Sequence, residues 1–306
     1  MRTSLFVAVF AVAVVGCGVS EVEVAEGPTS GAEATAEETG ELSTRSSSYV
    51  VFRRDIRRCI APLCGGYWVH DVNRKTLREE YVSGFDFTQS GLMDETQAKV
   101  FEAGEGEVVL RGKLGPAEPR FNTRAFIVLE AFRGMPGVAV GFSDVFYRVE
   151  RADEIRCIVA PCPNLRALKL HTTAQTLFHG LSLTRASKTN VDTRWMSSRI
   201  TDKGALVAGV FSTRNRESTL DVGQVFMRLP EPSQSCPRIA LQQCAAGFTL
   251  SWARNENRCL IPTGCVRTVT CPQIRPYCDA DYTAMTWNGG TNACPRAVCD
   301  PTWVTQ

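Results

Sequence analysis

The chain has 306 residues, with 34 Lys and Arg against 32 Asp and Glu, and 13 Cys. That length allows one large domain or two to three small ones. A net charge of +2, with the Arg residues scattered rather than clustered, gives no nucleic-acid-binding surface. No His-Glu-x-x-His, Gly-x-Ser-x-Gly, Gly-x4-Gly-Lys or Gly-x-Gly-x-x-Gly motif occurs, so the common hydrolase, nucleotide and dinucleotide chemistries have no recognisable site. No cofactor is expected.

Residues 1–16 read as a signal peptide. Arg2 supplies the positive end, and Leu5 to Val15 is an apolar run of eleven residues. A membrane span needs roughly 20. The run ends in Val14-Val15-Gly16-Cys17, which resembles the lipobox of bacterial lipoproteins. The resemblance implies cleavage before Cys17, diacylation of Cys17 and anchorage by acyl chains gaining about 0.8 kcal/mol per buried CH₂. Gly18 stands where that family carries Asp as an inner-membrane retention signal, which implies the outer membrane. Residues 17–48 continue as a tether. Ser20 to Ser48 holds seven Glu, no aromatic residue and a single apolar residue larger than Val, Leu42. Such a segment cannot bury enough apolar area to offset its chain entropy. Without Arg2, Arg45 and those seven Glu, residues 50–306 carry 32 basic and 25 acidic side chains, a mild excess that allows weak attraction to anionic surface polymers.

Taking Cys17 as lipidated leaves twelve Cys, an even number that in an exported chain predicts up to six disulfides. The competing arrangement is a four-thiolate zinc site from two Cys-x4-Cys pairs; an oxidising compartment and the lack of a nearby His favour disulfides.

Residues 49–230 read as a duplicated β-rich domain, with repeats at about 49–132 and 147–229. Arg58-Cys59 and Cys64 return as Arg156-Cys157 and Cys162, at an offset of 96 to 98 residues that holds across the segment. Tyr49-to-Asp55 is set against Tyr147-to-Asp153, Gly84-to-Thr88 against Gly180-to-Thr184, and Val108-to-Gly112 against Ala205-to-Gly209. Period-two alternation at Tyr49, Val51 and Arg53, at Tyr67 and Val69, at Phe85 and Phe87, and at Val108 and Leu110 predicts strands. Ala125–Leu129, Gly137–Phe142 and Val145–Tyr147 are read as further strand. A helix is expected at 94–101, capped by Asp94 and facing the core with Ala98, Phe101 and Val100, and a weaker one at 192–200. The fold class is therefore α+β dominated by β: two tandem antiparallel sheets, each with one short helix, sharing a core, followed by a small disulfide-rich domain. Each Cys-x4-Cys ring closes locally within disulfide geometry, and pairing across the repeats is the alternative.

After a linker at 231–235, residues 236–306 hold eight Cys, a density typical of disulfide scaffolds. They form two units of four. Cys236, Cys244, Cys259 and Cys265 (236–265) parallel Cys271, Cys278, Cys294 and Cys299 (271–299), with Cys-Pro-x-Ile, an aromatic-Thr pair, Trp and Asn recurring in order. Each unit admits three connectivities. Trp252 and Trp287 are read as the packing centre of each unit, or as exposed ligand contacts.

The stretch from Arg58 to Trp68 and that from Arg156 to Pro163, with the tail, resemble Cys-rich predicted lipoproteins of large bacterial genomes, a family of unknown function. That resemblance implies no activity or substrate. The expectation is a non-catalytic, lipid-anchored envelope protein. Its partners are the membrane, through Cys17, and a protein or surface polymer, with the tail as binding module. A protease inhibitor presenting Arg254 or Arg258 from the loop at 245–258 is a second reading. An enzyme built around His70 and Asp71 is a third.

Overall fold

The computed structural model describes residues 46–74, 78–157, 160–187, 190–232, 236–273 and 276–304. Alternation of apolar and polar side chains produces, in order, β1 (Ser48–Arg54), β2 (Tyr67–Asp71), β3 (Glu80–Val82), β4 (Phe85–Asp86), α1 (Asp94–Glu102), β5 (Val108–Leu114) and β6 (Phe126–Gly134). The same kinds of element follow as β7 (Val145–Arg151), β8 (Leu165–Lys169), β9 (Gln175–Phe178), β10 (Gly180–Ser182), α2 (Thr193–Thr201), β11 (Ala205–Arg214) and β12 (Glu217–Leu229). These strands make one mixed sheet in the order β3-β2-β1-β5-β6-β12-β11-β7-β8-β9, with β4 parallel to β6 and β10 parallel to β12. Read outward from the β6–β12 pair, each half runs through its elements in the same order. The fold is β-dominated α+β.

The six central strands, from β1 through β5, β6, β12 and β11 to β7, sort their side chains by alternation onto two faces. Val109, Phe132, Phe146, Leu206, Ala208 and Phe226 gather on one, joined by Tyr49 and Val51. Val50, Val108, Leu110, Tyr147, Val207, Val225 and Met227 pack on the other with the helices. The run curls until β1 and β7 approach each other, and side chains close the seam. Asn73 Nδ2 donates to the carbonyls of Phe146 and Leu170 at 2.9 and 3.1 Å, while the Phe146 N–H donates to Asn73 Oδ1 at 2.7 Å. His171 Nε2 sits 2.9 Å from the Tyr49 carbonyl oxygen and 3.2 Å from its nitrogen. Asn73 and His171 both adopt left-handed backbone, at φ 63° and 64°. Each replaces a missing strand partner with a side chain.

Glycine is required at two matching bulges. The ladder slips at Arg111/Gly112 and at Ala208/Gly209. A Cβ on Gly112 would lie 2.2 Å from the Ile127 carbonyl oxygen, and one on Gly209 would lie 2.5 Å from that of Asp221. Any side chain would force the neighbouring strands apart there.

The helices depart from the sequence expectation. Met93, not Asp94, occupies the N-cap of α1 and makes no side-chain cap bond; Thr96 and Val100 are buried, whereas Ala98 and Phe101 are exposed. The second helix is the better built. Asp192 accepts from the Arg194 and Trp195 N–H groups at 3.2 Å, and Trp195, Met196 and Ile200 are fully buried. Gly137–Phe142 forms a turn and loop rather than strand.

The tail folds as two hairpins, β13 (Phe248–Arg254) with β14 (Leu260–Arg267) and β15 (Tyr282–Gly289) with β16 (Cys294–Pro301), in the sheet order β14-β13-β15-β16. It is not a separate module beyond a linker. Tyr282, Cys299, Trp303 and Val304 join the main core. Tyr282 Oη donates to the Pro136 carbonyl at 3.0 Å, and Lys99 Nζ donates to that of Trp303 at 3.0 Å. The expected linker opens with buried Glu231, whose carboxylate accepts from Trp195 Nε1 at 2.9 Å, Arg199 Nε at 2.7 Å and Arg258 Nη2 at 2.8 Å. Beside it Arg254 makes a two-pronged pair with Asp300 and a further one with Asp192. Three guanidinium groups and three carboxylates thus neutralise one another in a buried seam, where leaving any one unpaired would be costly.

Candidate functional site

The described cysteines pair within their local units. Cys59 bonds Cys64 and Cys157 bonds Cys162. In the tail Cys236–Cys259, Cys244–Cys265, Cys271–Cys294 and Cys278–Cys299 staple the hairpins, with sequence separations of 23, 21, 23 and 21 residues. Cys17 lies outside the described residues. Among the described residues no helix is long and apolar enough to cross a membrane, and no group of three or more His, Cys, Asp or Glu side chains is placed to hold a metal ion.

Several residues singled out from the sequence sit elsewhere than expected. Trp252 and Trp287 are half-buried on the tail sheet, and neither belongs to the two apolar cores. Arg254 and Arg258 were to be exposed in an inhibitory loop; their side chains are only 5% and 9% exposed, consumed by the ionic seam. His70 and Asp71 are neighbours on a strand, so they point to opposite faces. His70 faces Glu79 from the surface, while buried Asp71 pairs with Arg74 and lies 4.0 Å from His171. They form no acid–base dyad. Asp153 is exposed, and its supposed equivalence to Asp55 fails. The backbone bond from Asp55 N to the Gly66 carbonyl is matched by Ala152 N to that of Asn164.

Two surface features remain. One is a cleft of about 600 Å³ between α2 and the tail, lined by Arg151, Arg194, Ser197, Thr201, Asn255 and Glu256. Its lining of arginine, hydroxyl, amide and carboxylate side chains offers hydrogen bonds to a polar ligand. The other is the Cys59–Cys64 loop between β1 and β2, which is unusually well held. Buried Asp55 accepts from the Arg57 N–H, Nε and Nη2 and from the Gly65 N–H. The Arg57 guanidinium hydrogen-bonds both carboxylate oxygens and holds Asp55 well below the usual carboxylate range, with Trp68 adding a hydrogen bond. Arg57 in turn lies 4.9 Å over the Trp68 ring and 5.3 Å from that of Tyr81. Tyr81 Oη donates to the Pro62 carbonyl at 2.8 Å and accepts from the Gly66 N–H. Gly66 is obligatory, because a Cβ would stand 2.2 Å from the Val82 carbonyl oxygen. On this rigid frame Ile56, Ile60 and Leu63 are 86%, 80% and 48% exposed. Arg54, at the end of β1, and Arg58, in the loop, are exposed.

The matching loop after β7 is held differently. His179 Nε2 lies 3.3 Å from the Pro161 carbonyl oxygen, as Tyr81 lies against Pro62, and its Nδ1 accepts from the Ser218 N–H at 3.0 Å. That leaves Nε2 to carry the proton and donate.

Spacing alone shows that the Cys59–Cys64 ring can close but not that its aliphatic residues face water. The available signal was three large aliphatic residues, Ile56, Ile60 and Leu63, inside a short loop that also holds Arg57 and Arg58.

No solved structure shows a significant match to this chain. An uncharacterized protein of Dictyostelium discoideum is 25% identical over 257 residues, covering 81% of this chain and 85% of that protein. A family model described as a domain of unknown function, DUF6748, matches residues 48–228, the span from β1 to β12 without the tail. By that match, which takes in more than half its length, the chain belongs to the DUF6748 family.

Proposed function

We propose that the protein is a non-catalytic binding protein of the cell envelope, exported and anchored through an acylated Cys17, with the Cys59–Cys64 loop as its contact surface. The observation that carries this reading is the loop itself. Large exposed aliphatic side chains grouped on one short loop, rather than scattered singly, mark an interaction surface, and a pre-organised loop loses little conformational entropy on binding. The wealth of disulfides supports export. The docked tail then serves as a brace, with its Arg residues committed to the ionic seam, and the trypsin-type inhibitor reading loses its exposed Arg.

The same reading takes the two halves of the sheet as products of an internal duplication. Supporting it are the matched element order, the paired bulges at Gly112 and Gly209, the seam residues Asn73 and His171, and the loop clasps Tyr81 and His179.

Intact mass of the membrane-extracted protein, before and after reduction with alkylation, tests the anchor and the staples. An acyl adduct on Cys17 and twelve thiols appearing only on reduction are expected. An unmodified Cys17, or thiols free before reduction, would overturn the exported, anchored reading.

A further inference from the structure

The geometry points to an anionic lipid bilayer as the partner of the Cys59–Cys64 loop, with Ile56, Ile60 and Leu63 entering the interfacial region and Arg54 and Arg58 meeting lipid phosphates. This rests on the proposal that the loop is the contact surface. Three observations select a bilayer over a folded partner. The apolar side chains stand out from the surface at 86%, 80% and 48% exposure rather than lining a groove. Protruding aliphatic residues suit a fluid surface that has no shape of its own. Next, the loop's charge is divided by role. Arg53 is engaged by Glu79, and Arg57 by Asp55 and two aromatic rings, so both brace the loop through ion pairs although their side chains are half-exposed. Arg54, two residues before Ile56, and Arg58, two residues before Ile60, are left exposed. Aliphatic residues backed by cations complement an anionic headgroup layer over hydrocarbon. Finally, the clasp of Asp55, Arg57, Tyr81 and the Cys59–Cys64 bond holds the tip without using any of the proposed contact residues' side chains. The tip therefore does not have to order on contact.

The contact would also serve the anchor. A second surface contact by the same molecule adds to the retention that the acyl chains on Cys17 give.

The test uses residues 40–306, which pack as one compact unit containing both cores and all six disulfides, so that neither the leader nor an acyl chain contributes. Co-sedimentation is measured with phosphatidylcholine vesicles and with vesicles containing about one-third phosphatidylglycerol, which carry the negative surface potential. Binding to the anionic vesicles is expected, with weaker binding to the neutral ones. Ile56→Ser with Ile60→Ser should weaken binding to both kinds at least tenfold. Arg54→Gln and Arg58→Gln should each cost about fivefold on anionic vesicles and leave the neutral ones unchanged. All four substitutions lie on exposed side chains, and unchanged melting temperatures confirm the fold. Equal binding to both vesicle types, or binding that ignores the four substitutions, would overturn the inference. Absence of vesicle binding, in a protein whose mass shows the Cys17 adduct and six disulfides, would overturn the bilayer partner alone and leave the anchored binding protein standing.

Discussion

Replacing Glu231 with Ala removes one carboxylate that serves three donors: Trp195 Nε1, Arg199 Nε and Arg258 Nη2. The side chains of Glu231, Arg199 and Arg258 are only 3%, 6% and 9% exposed, so water cannot readily take over. Breaking a buried pair by deleting one partner costs about 3–5 kcal/mol. The orphaned indole N–H falls at the lower end of the roughly 1–3 kcal/mol for an unsatisfied buried donor, since part of the loss is already counted. Glu231→Ala should therefore destabilise the protein by about 4 kcal/mol, or about 8–16 °C in Tm for a domain of this size. Glu231→Gln keeps an acceptor but not the charge, and should lose about half as much. Because Arg199 is left as a buried uncompensated cation, Arg199→Leu in the Glu231→Leu background should recover part of the loss, with a coupling of about 1–3 kcal/mol. Urea denaturation without reductant, followed by circular dichroism and tryptophan emission, measures each term. A Glu231→Ala protein within 1 kcal/mol of the parent would refute the view that the seam joins tail to sheet.

The seam between β1 and β7 gives a second test: Asn73→Gly keeps the left-handed backbone but strips two hydrogen bonds from Phe146 in β7 and one from Leu170 after β8, and should cost about 2–3 kcal/mol in the same urea titration. The tail staples give a third: removing Cys244–Cys265 by paired Ala substitution opens a loop of 21 residues, and should cost about 3 kcal/mol with the tail becoming protease-sensitive first. Acid provides a fourth. Asp55 is held low chiefly by its Arg57 hydrogen bonds and Glu79 by its Arg53 hydrogen bond. Their unfolded forms bind protons more readily, so this stability is present above about pH 4 and is lost as pH falls through the lower folded values. The urea midpoint should hold steady from pH 7 to 5 and fall below pH 4, and Asp55→Asn should flatten that fall. At the alkaline end burial raises the Tyr282 hydroxyl far above its usual value, so its contribution persists below about pH 10 and declines above it.

Much of the sheet was legible in the residues. Alternation at Tyr67 and Val69 and at Val108 and Leu110 marked strands because a half-buried pleat demands it, whereas the need for Gly at 112 and 209 comes from the crossing backbones of the folded sheet. The pairing of the two halves slipped by one residue, however. Aligned on the cysteines, Tyr49 meets Tyr147. In the sheet Tyr49 shares a face with Phe146, while Val50 shares one with Tyr147. The second loop is one residue longer before its first Cys, and a slip of one exchanges the two faces of a strand. Composition revealed the staples of the tail but not its docking, since Glu231, Arg254 and Arg258 look like ordinary surface charges until the fold brings them together from distant segments. The exposed tip was equally hidden: Ile56 and Ile60 have the chemistry of core residues. The sequence alone determined which segments alternate and how many cysteines are available to pair. Which charges are buried and which aliphatic residues meet water was decided only by the tertiary structure, because burial depends on the chain segments packed alongside, and those are set by long-range contacts.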